Sequence, residues 1–151
     1  MGKILYFAQK GLVLNETKKK ILVVKYADAK YTPQVKGKYG FPGGKLDFDE
    51  TDLDESFVRE VREETGVTIN PGIPFFVYSW KYVRNGDLVR IVAVARLGEY
   101  KTGELTIEQK EEKETKLNLP EWLDINSIVV ADFVADEHLA LKRFLEIYKN
   151  L

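Results

Sequence analysis

The segment LDESFVREVREETG, residues 53–66, sets the strongest constraint on what this chain can fold into. Wound as a helix, it gathers Leu53, Phe57, Val58, Val61 and Thr65 in an arc of roughly 140°, a stripe wide enough to face a core. Glu60, Glu63 and Glu64 fall within roughly 100° of one another, immediately beside that stripe rather than opposite it. Arg59, Arg62 and Glu55 lie further round, toward solvent. A helix is expected from Asp52 or Asp54 up to Gly66, whose position suits the residue just past a helix end. Its acids border the core, where a carboxylate beside two others either takes up a proton or finds a cation.

The loop in front of this helix, YGFPGGK, complements those acids. Gly43 and Gly44 carry no Cβ, so the backbone there can come close to a ligand or an ion. The Gly44 carbonyl can add an oxygen ligand, and Lys45 can meet a phosphate as a point charge. Three carboxylates on one helix face suit a hard divalent ion such as Mg²⁺, which keeps waters and substrate phosphates in its shell. Taken separately, the Pro-Gly-Gly stretch also reads as a plain turn, and REVREE as an ion-paired surface helix. Their fusion at this spacing favours chemistry over both.

A chain of 151 residues makes one domain, 1–151, with enough length for an ordinary core. Its net charge of −1 provides no global field for nucleic acid or an anionic membrane. With 0 cysteines, disulfides, Cys-based zinc sites and a thiol nucleophile are all excluded, and a reducing compartment is expected. No segment approaches the ~18 apolar residues of a membrane span. The N-terminal stretch MGKILYFAQKGLVLNE meets polar residues too early for a signal peptide. The expected setting is cytoplasmic, without membrane or nucleic-acid partners.

Along the chain, KILYFAQ, GLVL and ILVVKY read as strands, with NETKKK as a hairpin turn. IPFFVYSWKYV and LVRIVAVARL read as two long strands joined through Asn85-Gly86, a strong hairpin signal. KTGELTIEQKEEKETKLNLPE is expected to be a charged, mobile loop with room for one short strand. WLDINSIVVAD reads as a strand end passing into a short helix. The last segment forms an amphipathic helix whose stripe contains Leu139, Phe144, Ile147 and Leu151, widened by Leu141, Leu145 and Tyr148. Strands, helix, hairpin and helix in this order imply an α+β or mixed α/β sandwich with helices on a mixed sheet.

The residues from Gly44 to Val67 resemble the signature of the Nudix hydrolases, G-x5-E-x7-R-E-U-x-E-E-x-G-U, where U is a bulky aliphatic residue. Gly44, Glu50, Arg59, Glu60, Val61, Glu63, Glu64, Gly66 and Val67 match it. One departure exists: eight residues rather than seven separate Glu50 from Arg59. The extra residue falls in TDLDE, at the entry to the helix, and puts the role of Glu50 in question. The resemblance implies an α/β/α sandwich of the Nudix type and Mg²⁺-dependent hydrolysis, with Mn²⁺ as a substitute cation. It implies that Glu60, Glu63, Glu64 and the Gly44 carbonyl hold metal, that Arg59 orients the glutamates, and that Glu60 is one candidate base. Members of this family often add a ligand or base from a later loop, and Glu112 and Glu114 of KEEKETK are the candidates here, alongside Glu111. As in some nucleotide-cleaning members, Asp136 can contact a base, although it also reads as a helix N-cap. Gly43, Lys45 and Phe41 complete the expected substrate contacts. Tyr78, Trp80 and Tyr82 can stack on a base or fill the core, and His138 is expected on the helix surface.

The function these features imply is pyrophosphohydrolase action on a nucleoside triphosphate, normal or damaged, releasing a monophosphate and pyrophosphate. An ADP-ribose or nucleotide-sugar pyrophosphatase is the alternative. A non-catalytic nucleotide-binding module of the same fold is the third reading, and it leaves a cluster of mutually repelling acids without a reason. The partner is a small nucleotide, and the protein is expected to be a monomer or a homodimer.

Overall fold

A computed structural model describes residues 1–108 and 115–149. Strand β1 (Lys3–Leu14) is followed by β2 (Lys20–Ala29) and by two short strands, β3 (Tyr39–Gly40) and β4 (Gly43–Lys45). Helix α1 (Leu53–Thr65) comes next. The long hairpin β5 (Thr68–Arg84) and β6 (Asp87–Thr102) then leads to β7 (Thr115–Leu117), β8 (Glu121–Asp124) and helix α2 (His138–Lys149). KILYFAQ and GLVL, expected as separate strands, form one continuous β1. Gly11, the apparent break, sits mid-strand because a Cβ there would press on the Phe57 ring at 3.0 Å. The Asn85-Gly86 hairpin forms as expected, with both residues at positive φ, 49° and 82°.

The main sheet runs in the order β3-β2-β1-β6-β5. β1 pairs parallel to β6 and antiparallel to β2 and β4, so the sheet is mixed. Both faces of its centre are covered, which explains the apolar runs LVL at the end of β1 and ILVV in β2. Along β1, Leu12 and Leu14 point into the larger core with Leu141 and Phe144 of α2. Val13, between them, points the other way and joins Phe57 and Val61 of α1. Ile21 and Val23 divide from Leu22 in the same manner along β2, as a period of two requires. The result is a helix–sheet–helix sandwich. Among the described residues, no helix is long and apolar enough to cross a membrane.

Helix α1 is fixed at both ends. Asp52 caps its start by accepting hydrogen bonds from the N–H groups of Asp54 and Glu55, at 3.0 and 3.1 Å. Gly66 ends it in the left-handed region and donates its N–H to the Arg62 carbonyl. Arg96, nearly buried in β6, reaches Asp54 at 2.6 Å and lies over the Phe57 ring. Gln9 ties the same turn down through its bond to the Leu53 carbonyl. Replacing Asp52 with Ala leaves two orphan N–H groups and is expected to cost about 1 kcal/mol. In a domain of this size that lowers Tm by roughly 2–4 °C, and an unchanged melting curve would show that the cap contributes nothing.

Helix α2 buries most of its expected stripe but not its first residue. Leu139 is 64% exposed, whereas Ala140, Leu141 and Phe144 are buried. Leu141, Phe144, Leu145 and Tyr148 of the expected stripe do pack into the core, so Leu139 alone departs from it, and Leu151 lies outside the described residues.

Candidate active site

The strong local conformational demand falls at Gly43. Its φ is +140°, and a Cβ there would stand 2.0 Å from the Gln9 carbonyl oxygen. Only glycine allows β4 to lie this close to β1, with Gly43 opposite Lys10 and Gly44 opposite Gln9. The consequence is that the loop backbone is pushed against the acidic face of α1. Glu64 accepts the Gly43 N–H at 2.7 Å, and a Cβ on Gly44 would meet the Glu60 carboxylate at 2.5 Å. Gly43, Gly44, Lys45, Asp47, Glu60, Glu63 and Glu64 all line one cavity of about 520 Å³.

Arg59 organises these acids. Its guanidinium reaches Glu50 at 2.9 Å, Glu60 at 3.2 Å and Glu63 at 3.0 Å, with Asp47 at 3.6 Å. Burial disfavours the cation, but Glu50, Glu63 and Glu60 outweigh it and hold the guanidinium above its ordinary pKa. Glu50 answers the question raised by its eight-residue spacing. It accepts the Asp47 N–H and both Nε and Nη2 of Arg59, so the longer entry does not carry it away from the arginine. The Asp47 hydrogen bond, reinforced by Arg59, holds the Glu50 carboxyl below the usual glutamate range. Among the described residues, no three acids or histidines close into a ready-made metal cage. Instead, carboxylates share an open cavity.

The far wall is different in chemistry. Trp80, Tyr82, Val134, Asp136 and Glu137 face the same cavity. Glu137 is buried and accepts the Phe41 N–H at 3.1 Å and the Tyr78 hydroxyl at 2.5 Å. Burial raises the pKa of its carboxyl, and also that of the Tyr78 hydroxyl beside it. Lys10, 8% exposed on β1, also lines the cavity. Burial alone would lower its pKa, yet Tyr26, Glu137, Glu64 and Glu60 hold it above its ordinary value, so the ammonium stays charged. Burial pushes the Tyr26 hydroxyl up to about 12.

Most of the expected site residues meet here, but not all. Phe41 is a correction: it is fully buried, its ring packs on Phe133, and only its backbone N–H reaches toward the site, through Glu137. Asp136 lies inside a short 3-10 turn (Ala135–Glu137) rather than capping α2 with its side chain. His138 is half-buried, not simply on the surface, and its Nε2 lies 2.8 Å from the Phe133 carbonyl. Glu111, Glu112 and Glu114 lie outside the described residues, although Glu108 and Thr115, on either side of them, line the cavity. Lys10, Tyr26, Glu137 and Glu108 were not singled out in the sequence. For Lys10 a signal existed: a lysine in the middle of a strand buried on both faces needs a reason.

The NUDIX domain model matches residues 8–144. No curated protein matches the chain. A MutT NUDIX hydrolase from Burkholderia pseudomallei superposes with a TM-score of 0.68 at 20% identity, covering 92% of this chain and 97% of its own. The MutT protein from Methanosarcina mazei Go1 gives 0.69 at 21% identity, covering 99% and 96%. An ADP-ribose pyrophosphatase from Streptococcus suis gives 0.63 at 15% identity, covering 96% and 90%.

Proposed function

The chain belongs to the Nudix family and is a hydrolase of pyrophosphate bonds, and from that premise we propose that it cleaves nucleoside triphosphates to a monophosphate and pyrophosphate. The observation that carries this reading is a single cavity with two unlike walls. Glu60, Glu63, Glu64 and the Gly43-Gly44 backbone form one, and Trp80 and Asp136 stand on the other. The first suits a pyrophosphate group with its cation, and the second suits a base.

Glu60, Glu63, Glu64 and the Gly44 carbonyl would hold a divalent cation, Mg²⁺ with Mn²⁺ as a substitute. Their oxygen-only donor set fits such ions, which need few carboxylates when substrate phosphates complete the shell. When bound, the cation neutralises pyrophosphate charge and makes water more acidic. The chain's own residues do the positioning. Arg59 fixes Glu60 and Glu63, while the Gly43 N–H fixes Glu64. Glu60 takes the proton of the attacking water as its oxygen bonds to phosphorus and the anhydride P–O bond breaks. Lys45, whose ammonium lies 4.3 Å from the Tyr6 ring centroid, meets a phosphate oxygen at the cavity edge. Trp80 offers a ring for stacking, and Asp136 accepts an N–H from the base edge, with the Lys10 ammonium as a donor deeper in the cavity.

A panel of nucleoside triphosphates, ADP-ribose and nucleotide sugars, each with Mg²⁺ and analysed for every product, tests this reading. Pyrophosphate with nucleoside monophosphate, formed most efficiently from a triphosphate, is the expected result. Preferential release of AMP and ribose phosphate from ADP-ribose would replace it with the alternative substrate class. Tight binding of nucleotide without any turnover would reduce the protein to a binding module.

A further inference from the structure

The sheet face that carries α1 is only partly covered by it. Beyond the helix, residues that alternate along three paired strands point the same way: Leu5 and Phe7 on β1, Val92 and Val94 on β6, and Val77 and Val83 on β5. The register aligns Phe7 with Val92 and Val92 with Ser79, and sets Val94 opposite Val77, so these side chains form one continuous surface. Leu5 is 70% exposed, Val77 63% and Val83 52%. Among the described residues β5, 17 residues long, pairs only with β6, so its outer edge borders the same surface. A long edge strand flanked by an exposed apolar face is a site where another chain docks.

Two further observations identify the occupant. The first is charge. Lys3, Lys81 and Arg90 are exposed and fall on this face by register, Lys81 at the rim it shares with the cavity, and none of the 17 residues of β5 is acidic. The second is the loop that follows β4. It leaves the sheet beside Phe7, where the Leu46 N–H bonds to the Phe7 carbonyl, and turns through Asp47, Phe48, Asp49 and Glu50. Phe48 is fully exposed, at 102%, with an aspartate on each side. The loop does not wander: the Glu50 N–H bonds to the Asp47 carbonyl, the Asp47 N–H bonds to Glu50, and Arg59 holds Glu50. A phenylalanine held in water at the tip of a pinned, acidic turn is a preorganised contact. An apolar face rimmed by cations is what it complements.

We propose that this chain forms a two-fold symmetric homodimer in which the acidic Phe48 loop of each copy docks on the basic, apolar face of the other. The same chain carries both halves of the complementarity, so the symmetric pair satisfies two such contacts at once.

Sedimentation equilibrium of the full chain tests this directly. The wild type is expected to be a dimer at micromolar concentration, and Phe48→Asp is expected to be a folded monomer with the wild-type circular-dichroism spectrum. Charge reversal supplies the sharper arm. Asp49→Lys sets an ammonium on the loop against a cationic face, and Lys81→Glu with Arg90→Glu sets an anionic loop against an anionic face. Each variant alone should dissociate at least ~10-fold more readily, and an equimolar mixture should form the heterodimer in preference to either homodimer. A monomeric wild type, or a mixture that shows no preference, would overturn the proposal. Neither outcome depends on which nucleotide the protein hydrolyses.

Discussion

Glu64→Gln is expected to lower kcat by at least ~100-fold, the scale of removing one preorganised electrostatic group, while the protein melts at the same temperature or higher. The structure explains why the two effects separate. Glutamine keeps an oxygen to accept the Gly43 N–H, which Glu64 now takes at 2.7 Å, so the loop stays in place. What it removes is one of several like charges on a single helix face, and this relief offsets the loss of one of the carboxylates that hold the Lys10 ammonium. Glu60→Gln should cost a similar factor in turnover but also some stability, because Glu60 is one of the partners of Arg59. The double variant should lose far less than the product of the two, since groups that act as a unit are not additive. Glu55, exposed on the solvent side of the same helix, is the control, and Glu55→Gln should match the wild type. If these acids were only structural, Glu64→Gln would melt earlier and hydrolyse at the normal rate.

Arg59→Met should damage both properties. It leaves Glu50, Glu60 and Glu63 half-buried, close together and without their shared cation. A fully buried pair broken in this way costs about 3–5 kcal/mol. The Arg59 side chain is 29% exposed, so solvent screening reduces the expected loss to about 1–3 kcal/mol. Turnover should fall by roughly 10–100-fold, as it does when the groups that orient functional ligands are removed. Arg59→Lys should fall between, because an ammonium cannot span the acids that a planar guanidinium reaches. The pH dependence follows the same contacts. Glu50 has a folded pKa below its unfolded one, so its contribution is complete above about pH 4.3 and is lost as pH falls through the folded value. Arg59→Met should flatten this acid limb, and stability curves of equal shape for the two proteins would rule out the clamp.

The site was legible in the sequence where local chemistry dictates local structure. The helix from Leu53 to Thr65, with Asp52 before it and Gly66 after it, follows from capping and periodicity. The Asn85-Gly86 turn follows from its positive-φ requirement. Glu60, Glu63 and Glu64 share a face because the helical period puts them there. What failed depended on tertiary partners. Phe41 looked available beside the Pro-Gly-Gly loop, but the chain turns its ring into the core against Phe133. Leu139 fits the periodic stripe of the last helix, yet the angle at which α2 meets the sheet leaves it in water. Glu137 and Lys10 come from opposite ends of the chain and gain their meaning only when α2 lies over β1 and β2. Glu50 shows the converse: the motif spacing alone did not place it beside Arg59, and the structure brings it there through a bidentate contact.

The glutamate face of α1 and the Gly43-Gly44 loop are expected to hold the divalent cation on which pyrophosphate hydrolysis depends. The direct test is the rate of pyrophosphate release from a nucleoside triphosphate by exhaustively stripped protein, measured as Mg²⁺ is titrated back. No turnover should occur in excess EDTA, activity should return saturably with Mg²⁺ or Mn²⁺, and Glu64→Gln should need more cation and still stay slow. Undiminished turnover of the stripped wild type in EDTA would contradict the claim.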